Sequence, residues 1–298
     1  MDDLFKELGE FPPDYSVLDD DVEDNEASSS VSLPITRVDP NKIALPKLRE
    51  WNLKEFYKQY PIRGPNSQVS MLIFAPSGKG KTSKLYSMFM ESWKDQFEYI
   101  FIFSPSAEGG QYDFFMKYPK KVQARAFTGI DEPTIRAVIK IQNERLLKHQ
   151  KPLRVLFVID DLVDKKDKNN EVIINLFVKA RHKCISVVQL VQDIMMVHPN
   201  VRKQASIMMF LKGVIGKRMK HLYDEHLSLY TDEDIIGSDS ERIIYKWWSH
   251  LVRENTKDYN ALVVFQRLIT KEPLRGPEEF YQSIKTYKGG YFVEHKEY

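Results

Sequence analysis

The chain has 298 residues, a hydrophobic share of 42% and a formal net charge of +2, enough apolar material for one large or two modest domains. No apolar run approaches the ~20 residues of a membrane-spanning helix, the acidic N-terminus is unlike a signal peptide, and the single cysteine, Cys184, excludes an internal disulfide or a Cys-based zinc site. The near-neutral total hides an asymmetry: residues 1–27 carry eleven acidic side chains and one basic one, which leaves a basic body that suits a polyanionic partner, or simply a solvated body with an acidic tail. These bounds predict a soluble, intracellular protein in a reducing compartment, with Cys184 a small buried hydrophobe.

Taken in order, residues 1–30 read as an acidic, disordered tail ending in Ser28-Ser29-Ser30. Within it Leu4, Phe5, Leu8 and Phe11 have the spacing of a short partner-binding helix. Residues 31–66 hold five prolines and read as an extended lead-in, anchored by Trp51, Phe56 and Tyr57. The core then alternates. Strands are predicted at 69–74, 99–103, 122–127, 153–159, 185–190 and 205–211, and helices at 81–93, 131–148 and 171–180. Asp131 stands where a helix N-cap belongs. Buried β-branched runs alternating with helices predict an α/β fold, a mostly parallel sheet with helices on both faces. Residues 67–215 form the expected core. Residues 216–298 read as a helical and edge-strand extension of the same domain, with helices at 218–229 and 241–254, the packing pair Trp247-Trp248, and a strand at 261–265 on the sheet's edge. His182, His198 and His221 show no metal-ligand spacing.

The most informative stretch is Ala75-Pro76-Ser77-Gly78-Lys79-Gly80-Lys81-Thr82-Ser83, between an apolar strand and a helix. That order is the layout of a phosphate-binding loop. Backbone N–H groups and the positive end of the helix make a concave anion site, and Gly78 and Gly80 let the backbone curl close to phosphate oxygens. Lys81 would reach the β- and γ-phosphates, and the Thr82 hydroxyl would ligate Mg²⁺. The pattern departs from the strict form at its first position, where Ala75 replaces glycine.

A second feature is Val155-Leu156-Phe157-Val158-Ile159-Asp160-Asp161. An apolar strand ending in two carboxylates places both at the C-terminal edge of a parallel sheet, where open α/β sheets bind ligands. Asp160 would hold Mg²⁺, and Asp161 would orient and deprotonate an attacking water. Asp161 is one methylene shorter than glutamate. The run 185–192 ends in Gln192, a polar group placed to touch both the γ-phosphate and the water; Gln189 is the second candidate, inside the strand.

Together these residues resemble a known family. The phosphate loop, Phe-Val-Ile-Asp-Asp at 157–161, Ala-Arg-His at 180–182, Ile-Ser-Val-Val-Gln-Leu-Val-Gln at 185–192 and Pro-Asn-Val-Arg at 199–202 are similar to motifs of the poxvirus-type DNA-packaging ATPases. These belong to the FtsK–HerA superfamily of large DNA viruses, virophages and related elements. The resemblance covers residues 67–215, with Gln204 where the family often has asparagine. It implies a P-loop NTPase fold of the additional-strand, RecA/FtsK-like type. It also implies ATP and Mg²⁺ as ligands, and a homo-oligomeric ring, pentamer or hexamer, that drives double-stranded DNA into a preformed capsid. The place of action would be a viral assembly site or the virion, with capsid proteins possible partners of the acidic tail. It further implies an arginine supplied by the neighbouring protomer, for which Arg181 is the first candidate and Arg202 the second. DNA contacts would be to phosphates, with Lys165, Lys166 and Lys168, and Lys217, Arg218 and Lys220, as the basic groups. Two other readings stay open: a nucleoside or nucleotide kinase, and a non-catalytic, nucleotide-gated capsid-assembly scaffold.

Overall fold

The computed structural model describes residues 49–52, 68–93, 96–117, 122–161, 168–213, 217–224, 252–253, 255–257, 260–265 and 281–285, together with Tyr245 and Ser249. The expectations for the acidic tail, most of the lead-in, Lys165, Lys166 and Trp247-Trp248 lie outside these residues.

The described strands form one sheet of nine: β1 (Arg49–Asn52), β2 (Ser70–Phe74), β3 (Tyr99–Phe103), β4 (Gln123–Phe127), β5 (Val155–Asp160), β6 (Ile185–Val191), β7 (Ile207–Phe210), β8 (Ala261–Phe265) and β9 (Tyr281–Lys285). Their order is β1-β9-β8-β7-β2-β6-β5-β3-β4. The pairs from β7 through β2, β6, β5 and β3 to β4 are all parallel, whereas β8 runs antiparallel to both β7 and β9. β6 lies between β2 and β5. The strand carrying the phosphate loop is thus separated by one strand from the strand carrying the two aspartates, which is the additional-strand arrangement.

The helices are α1 (Lys81–Met88), which continues as a π-helix over Phe89–Trp93, α2 (Asp113–Lys117), α3 (Glu132–Leu147), α4 (Glu171–Lys179), α5 (Pro199–Gln204) and α6 (Lys217–Leu222). Successive strand residues face opposite sides, so the sheet feeds two cores. Val155, Phe157 and Ile159 pack with Ile135 and Val138 of α3 and Leu176 and Phe177 of α4. Leu156 and Val158 pack with Leu85 and Met88 of α1 and with Trp93, Tyr112 and Phe115. All five positions of β3 and all six of β5 are buried. This double burial is why those strands read as continuous apolar runs. Local chemistry sets the helix starts. The Asp131 side chain accepts from Thr134 N–H at α3, and the Asn170 side chain accepts from Val172 and Ile173 N–H at α4. Cys184 is buried, as expected, and burial raises its thiol pKa.

Four differences from the sequence expectations are structural findings. β8 is an interior strand between β7 and β9, not an edge strand. β5 begins at Val155 rather than Leu153, because Gln142 of α3 takes up both the N–H and the C=O of Leu153. The predicted strand at 205–211 shortens to Ile207–Phe210. β1, β9, α2 and α5 were not anticipated; all are short, and β9 (Tyr-Gln-Ser-Ile-Lys) lacks an apolar run.

Candidate active site

All the strand ends that carry chemistry meet at one edge. Ala75 N–H donates to Val191 O at 3.1 Å, which ties the start of the phosphate loop to the end of β6. Ala75 is fully buried and is not among the positive-φ residues. It continues the strand, so a Cβ is accommodated there. Glycine is required only where the loop turns through the left-handed region, at Gly78 (φ 69°) and Gly80 (φ 84°). Gly80 caps α1, accepting from Lys84 N–H at 2.8 Å. Ser77, Gly78 and Lys79 are exposed, Pro76 and Gly80 half-buried, and Thr82 and Ser83 stand half-buried in the first turn of α1. Lys81 folds back and donates from Nζ to Ala75 O at 3.0 Å and Pro76 O at 3.5 Å. Its ammonium thus lies across the loop, held by carbonyls that an anion would replace.

Asp160 is 3% exposed at the end of β5. The Thr82 hydroxyl donates to its Oδ2 at 3.4 Å, and the Tyr112 hydroxyl donates to the same oxygen. Burial, reinforced by the charge of Asp161, pushes the Asp160 carboxyl up to about 6, against the opposing pull of the Tyr112 hydrogen bond, Lys81 and Thr82. Asp160 Oδ1 is buried and has no hydrogen-bond partner. An orphaned carboxylate oxygen beside a threonine hydroxyl is a hard-oxygen donor set that fits Mg²⁺, which takes one or two protein oxygens and completes its shell with phosphates and water.

Asp161 follows with φ 55°, a left-handed turn that aspartate tolerates better than most residues. The turn takes the chain out of the sheet, so the two neighbouring carboxylates leave it in different environments. Gln192 Nε2 donates to Asp161 Oδ1 at 2.5 Å. Gln192 lies just past β6, while Gln189 is inside it, 8% exposed, with its Oε1 buried and unpartnered. The strand brings Gln192 to the aspartates and leaves Gln189 one layer lower, opposite Ile159 and Leu72.

The two arginine candidates sit differently. Arg181 lies in the 3₁₀ turn Ala180–Lys183 that leads into β6, at the opposite end of the strand from Val191 and the phosphate loop. Arg202 is 3% exposed and donates from Nη1 to Val197 O at 2.5 Å and Ile194 O at 3.2 Å. That guanidinium braces the turn between β6 and α5. Its burial inside its own protomer runs against the expectation that Arg202 reaches a neighbour. Beside it, His198 caps α5, accepting from Asn200 N–H at 3.2 Å, and its pKa is lowered by burial and by Lys168 and Arg202. Lys220 pairs with Asp224 at 2.6 Å and lies over the rings of Tyr223 and Tyr245.

Two site residues were missed by sequence reasoning. Tyr112 touches Asp160, and Gln111 Nε2 donates to Thr82 Oγ1 at 2.7 Å. They lie in the β3–β4 connection, whose only signals were paired glycines and an aromatic cluster. A third contact is backbone: a Cβ on Gly213 (φ 105°), in the turn after β7, would meet Pro76 Cγ at 3.0 Å.

The model of the poxvirus A32 protein family matches residues 57–258, more than half of the chain. The chain belongs to this family. It is a poxvirus-type packaging ATPase of the FtsK–HerA type, as its motifs implied. Solved structures of similar fold include the genome packaging NTPase B204 from Sulfolobus turreted icosahedral virus 2 in complex with ATP-gammaS. It aligns at a TM-score of 0.50 and 14% identity over 76% of this chain and 100% of its own. B204, the DNA-packaging ATPase from Sulfolobus Turreted Icosahedral Virus, aligns at 0.48 and 15% identity over 73% and 97%. EssC (ATPases 2 and 3) from Geobacillus thermodenitrificans aligns at 0.40 and 13% identity over 53% and 34%. At these identities the likeness to B204 with ATP-gammaS is one of fold. No curated protein matches the chain. Among the described residues no helix is long and apolar enough to cross a membrane.

Proposed function

We propose that this member of the family is a Mg²⁺-dependent ATP-hydrolysing motor that drives double-stranded viral DNA into a preformed capsid as a homo-oligomeric ring. The observation that carries this reading is the convergence of Lys81, Thr82, Asp160, Asp161 and Gln192 on one edge of the sheet, with Gln192 bonded to Asp161. A catalytic carboxylate oriented by a glutamine is what an enzyme needs to align and deprotonate water next to a γ-phosphate.

The loop N–H groups of 76–82 and the N-terminus of α1 would hold the phosphates, with Ser83 in the same turn. Lys81 would leave the Ala75 and Pro76 carbonyls for phosphate oxygens. Thr82 and Asp160 would hold Mg²⁺, which when bound draws charge from the phosphate oxygens. Asp161 would accept the proton of the attacking water. Gln192 would hold Asp161 in place and sense the γ-phosphate through its own amide. Arg181 remains the candidate for the arginine supplied in trans, since its backbone lies at the far end of β6 from its own site. It would stabilise charge on the transferring phosphoryl group of the adjacent protomer. Residues 67–215 would be the motor core, with 216–298 extending the same sheet through β8 and β9. Lys165, Lys166, Lys168, Lys217, Arg218 and Lys220 are proposed contacts to DNA phosphates, and the acidic tail a contact to capsid proteins at the assembly site.

The test is steady-state ATP hydrolysis with and without double-stranded DNA, with Lys81→Ala as control. Turnover that rises with DNA and disappears in the control supports the motor. Turnover that ignores DNA but needs an added nucleoside would point to a kinase. Nucleotide binding with no turnover under any condition would point to the scaffold.

A further inference from the structure

Thr82 and Asp160 do not meet alone. The buried Tyr112 comes between them from the connection that joins β3 to β4, one residue before α2. Its ring is stacked on Phe115, with centroids 6.4 Å apart and planes 17° from parallel, and lies 6.4 Å from Phe114. These rings fix the direction of the phenol, and its hydroxyl donates to Asp160 Oδ2. The Ser104 and Thr82 hydroxyls act on the same phenol oxygen, and burial keeps the phenol protonated, its pKa raised above the ordinary tyrosine value. A phenol hydroxyl facing a carboxylate oxygen acts as its donor.

The bonding is one-sided. Tyr112 and Thr82 both donate to Oδ2, while Oδ1 is buried with no partner. A carboxylate free to turn about its last torsion would exchange its two oxygens. A tyrosine clamp on one oxygen prevents that and decides which oxygen stays open. Partners of a metal ligand that fix its orientation in this way contribute to metal affinity without touching the metal.

We propose that Tyr112 is a positioning residue for the cation site, its hydroxyl clamping Asp160 Oδ2 so that Oδ1 is the oxygen available to the cation or to its water. This rests on the reading of Thr82 and Asp160 as the holders of Mg²⁺. The hydroxyl makes no contact with nucleotide in this role, so its removal acts on metal affinity alone.

The experiment measures binding of a fluorescent, non-hydrolysable ATP analogue in EDTA and over a Mg²⁺ titration, for wild type, Thr82→Ala, Tyr112→Phe and Tyr112→Phe in an Asp160→Asn background. Tyr112→Phe keeps the stacked ring, and its thermal midpoint is checked against wild type. The expected result is a Mg²⁺ midpoint raised about tenfold, the lower end of what losing such a partner costs, with the affinity in EDTA unchanged. In the Asp160→Asn background the tyrosine substitution leaves the Mg²⁺ curve where it is. An unchanged midpoint, an equal loss in EDTA and in Mg²⁺, or a further shift without the Asp160 carboxylate each overturns the proposal. Should wild type show no tightening by Mg²⁺ that Thr82→Ala abolishes, the metal-site reading itself fails and Tyr112 loses its role with it.

Discussion

Lys81 and the two aspartates divide the chemistry by what each can exchange. The Lys81 ammonium is satisfied by loop carbonyls, so replacing it with alanine takes away a phosphate ligand and leaves the core untouched. Lys81→Ala is expected to retain its melting temperature and lose hydrolysis. Asp161→Asn keeps the bond geometry to Gln192 but not the base. It is expected to lower turnover by about 100-fold or more, the range for removing a general base, with nucleotide affinity close to wild type by direct titration. Asp160 is buried, with one oxygen orphaned and a second carboxylate next to it. Asp160→Asn therefore removes a buried charge whose desolvation outweighs its hydrogen bonds and is expected to raise the melting temperature of the metal-free protein while abolishing hydrolysis. The sign with pH follows from the raised carboxyl, near 6 against 3.8 for a free side chain. The folded wild type keeps this carboxyl neutral up to about pH 6, so the associated stability is fully present below about pH 4 and is lost as pH rises through 6. The advantage of Asp160→Asn, read by calorimetry, is thus larger at pH 8 than at pH 5.

Among the elements, the turn after β7 has a part in the phosphate loop that its distance along the chain conceals. Gly213 packs on Pro76, and at φ 105° it occupies a conformation that L side chains rarely adopt. A methyl there would press on the base of the loop as well as strain its own backbone. Gly213→Ala is expected to lower both the melting temperature and the affinity for ATP, whereas a substitution at half-buried Gly129, where a Cβ meets nothing within 4 Å, leaves affinity unchanged. Gln142 does similar work on the other face. It bonds to both backbone groups of Leu153 and to Lys183 O, joining α3 to the starts of β5 and β6. These partly buried backbone groups are thereby paired within the protein.

For the whole molecule, the proposed ring has each protomer complete the site of the next. The turn carrying Arg181 and the phosphate loop lie at opposite ends of β6, which sets its backbone away from its own site, and the proposal assigns it to a neighbour's. This makes a mixing experiment decisive. Arg181→Ala and Lys81→Ala are each expected to be inactive alone. Mixed before assembly, they should recover part of the hydrolysis, because a protomer with an intact loop can then sit beside one with an intact arginine. No recovery at any ratio would remove Arg181 from the role.

Much of this was legible along the chain. The phosphate loop, the Asp160-Asp161 strand end, Gln192 and the alternation of strands and helices are local patterns: glycines at left-handed turns, buried runs, polar groups at strand ends. Their chemistry follows from residue type and spacing, so the sequence by itself determined the fold class and most of the candidate site. What it could not determine was anything set by contacts between distant segments. Tyr112 and Gln111 are ordinary residues in a connecting segment until folding places them on Asp160 and Thr82. Arg202 reads as an available cation until α5 buries it against the carbonyls of residues 194 and 197. β8 reads as an edge until β9, a polar strand with no apolar signature, pairs on its far side. Hydrogen bonds and burial across the sheet depend on which segments become neighbours, and only the tertiary structure decides that.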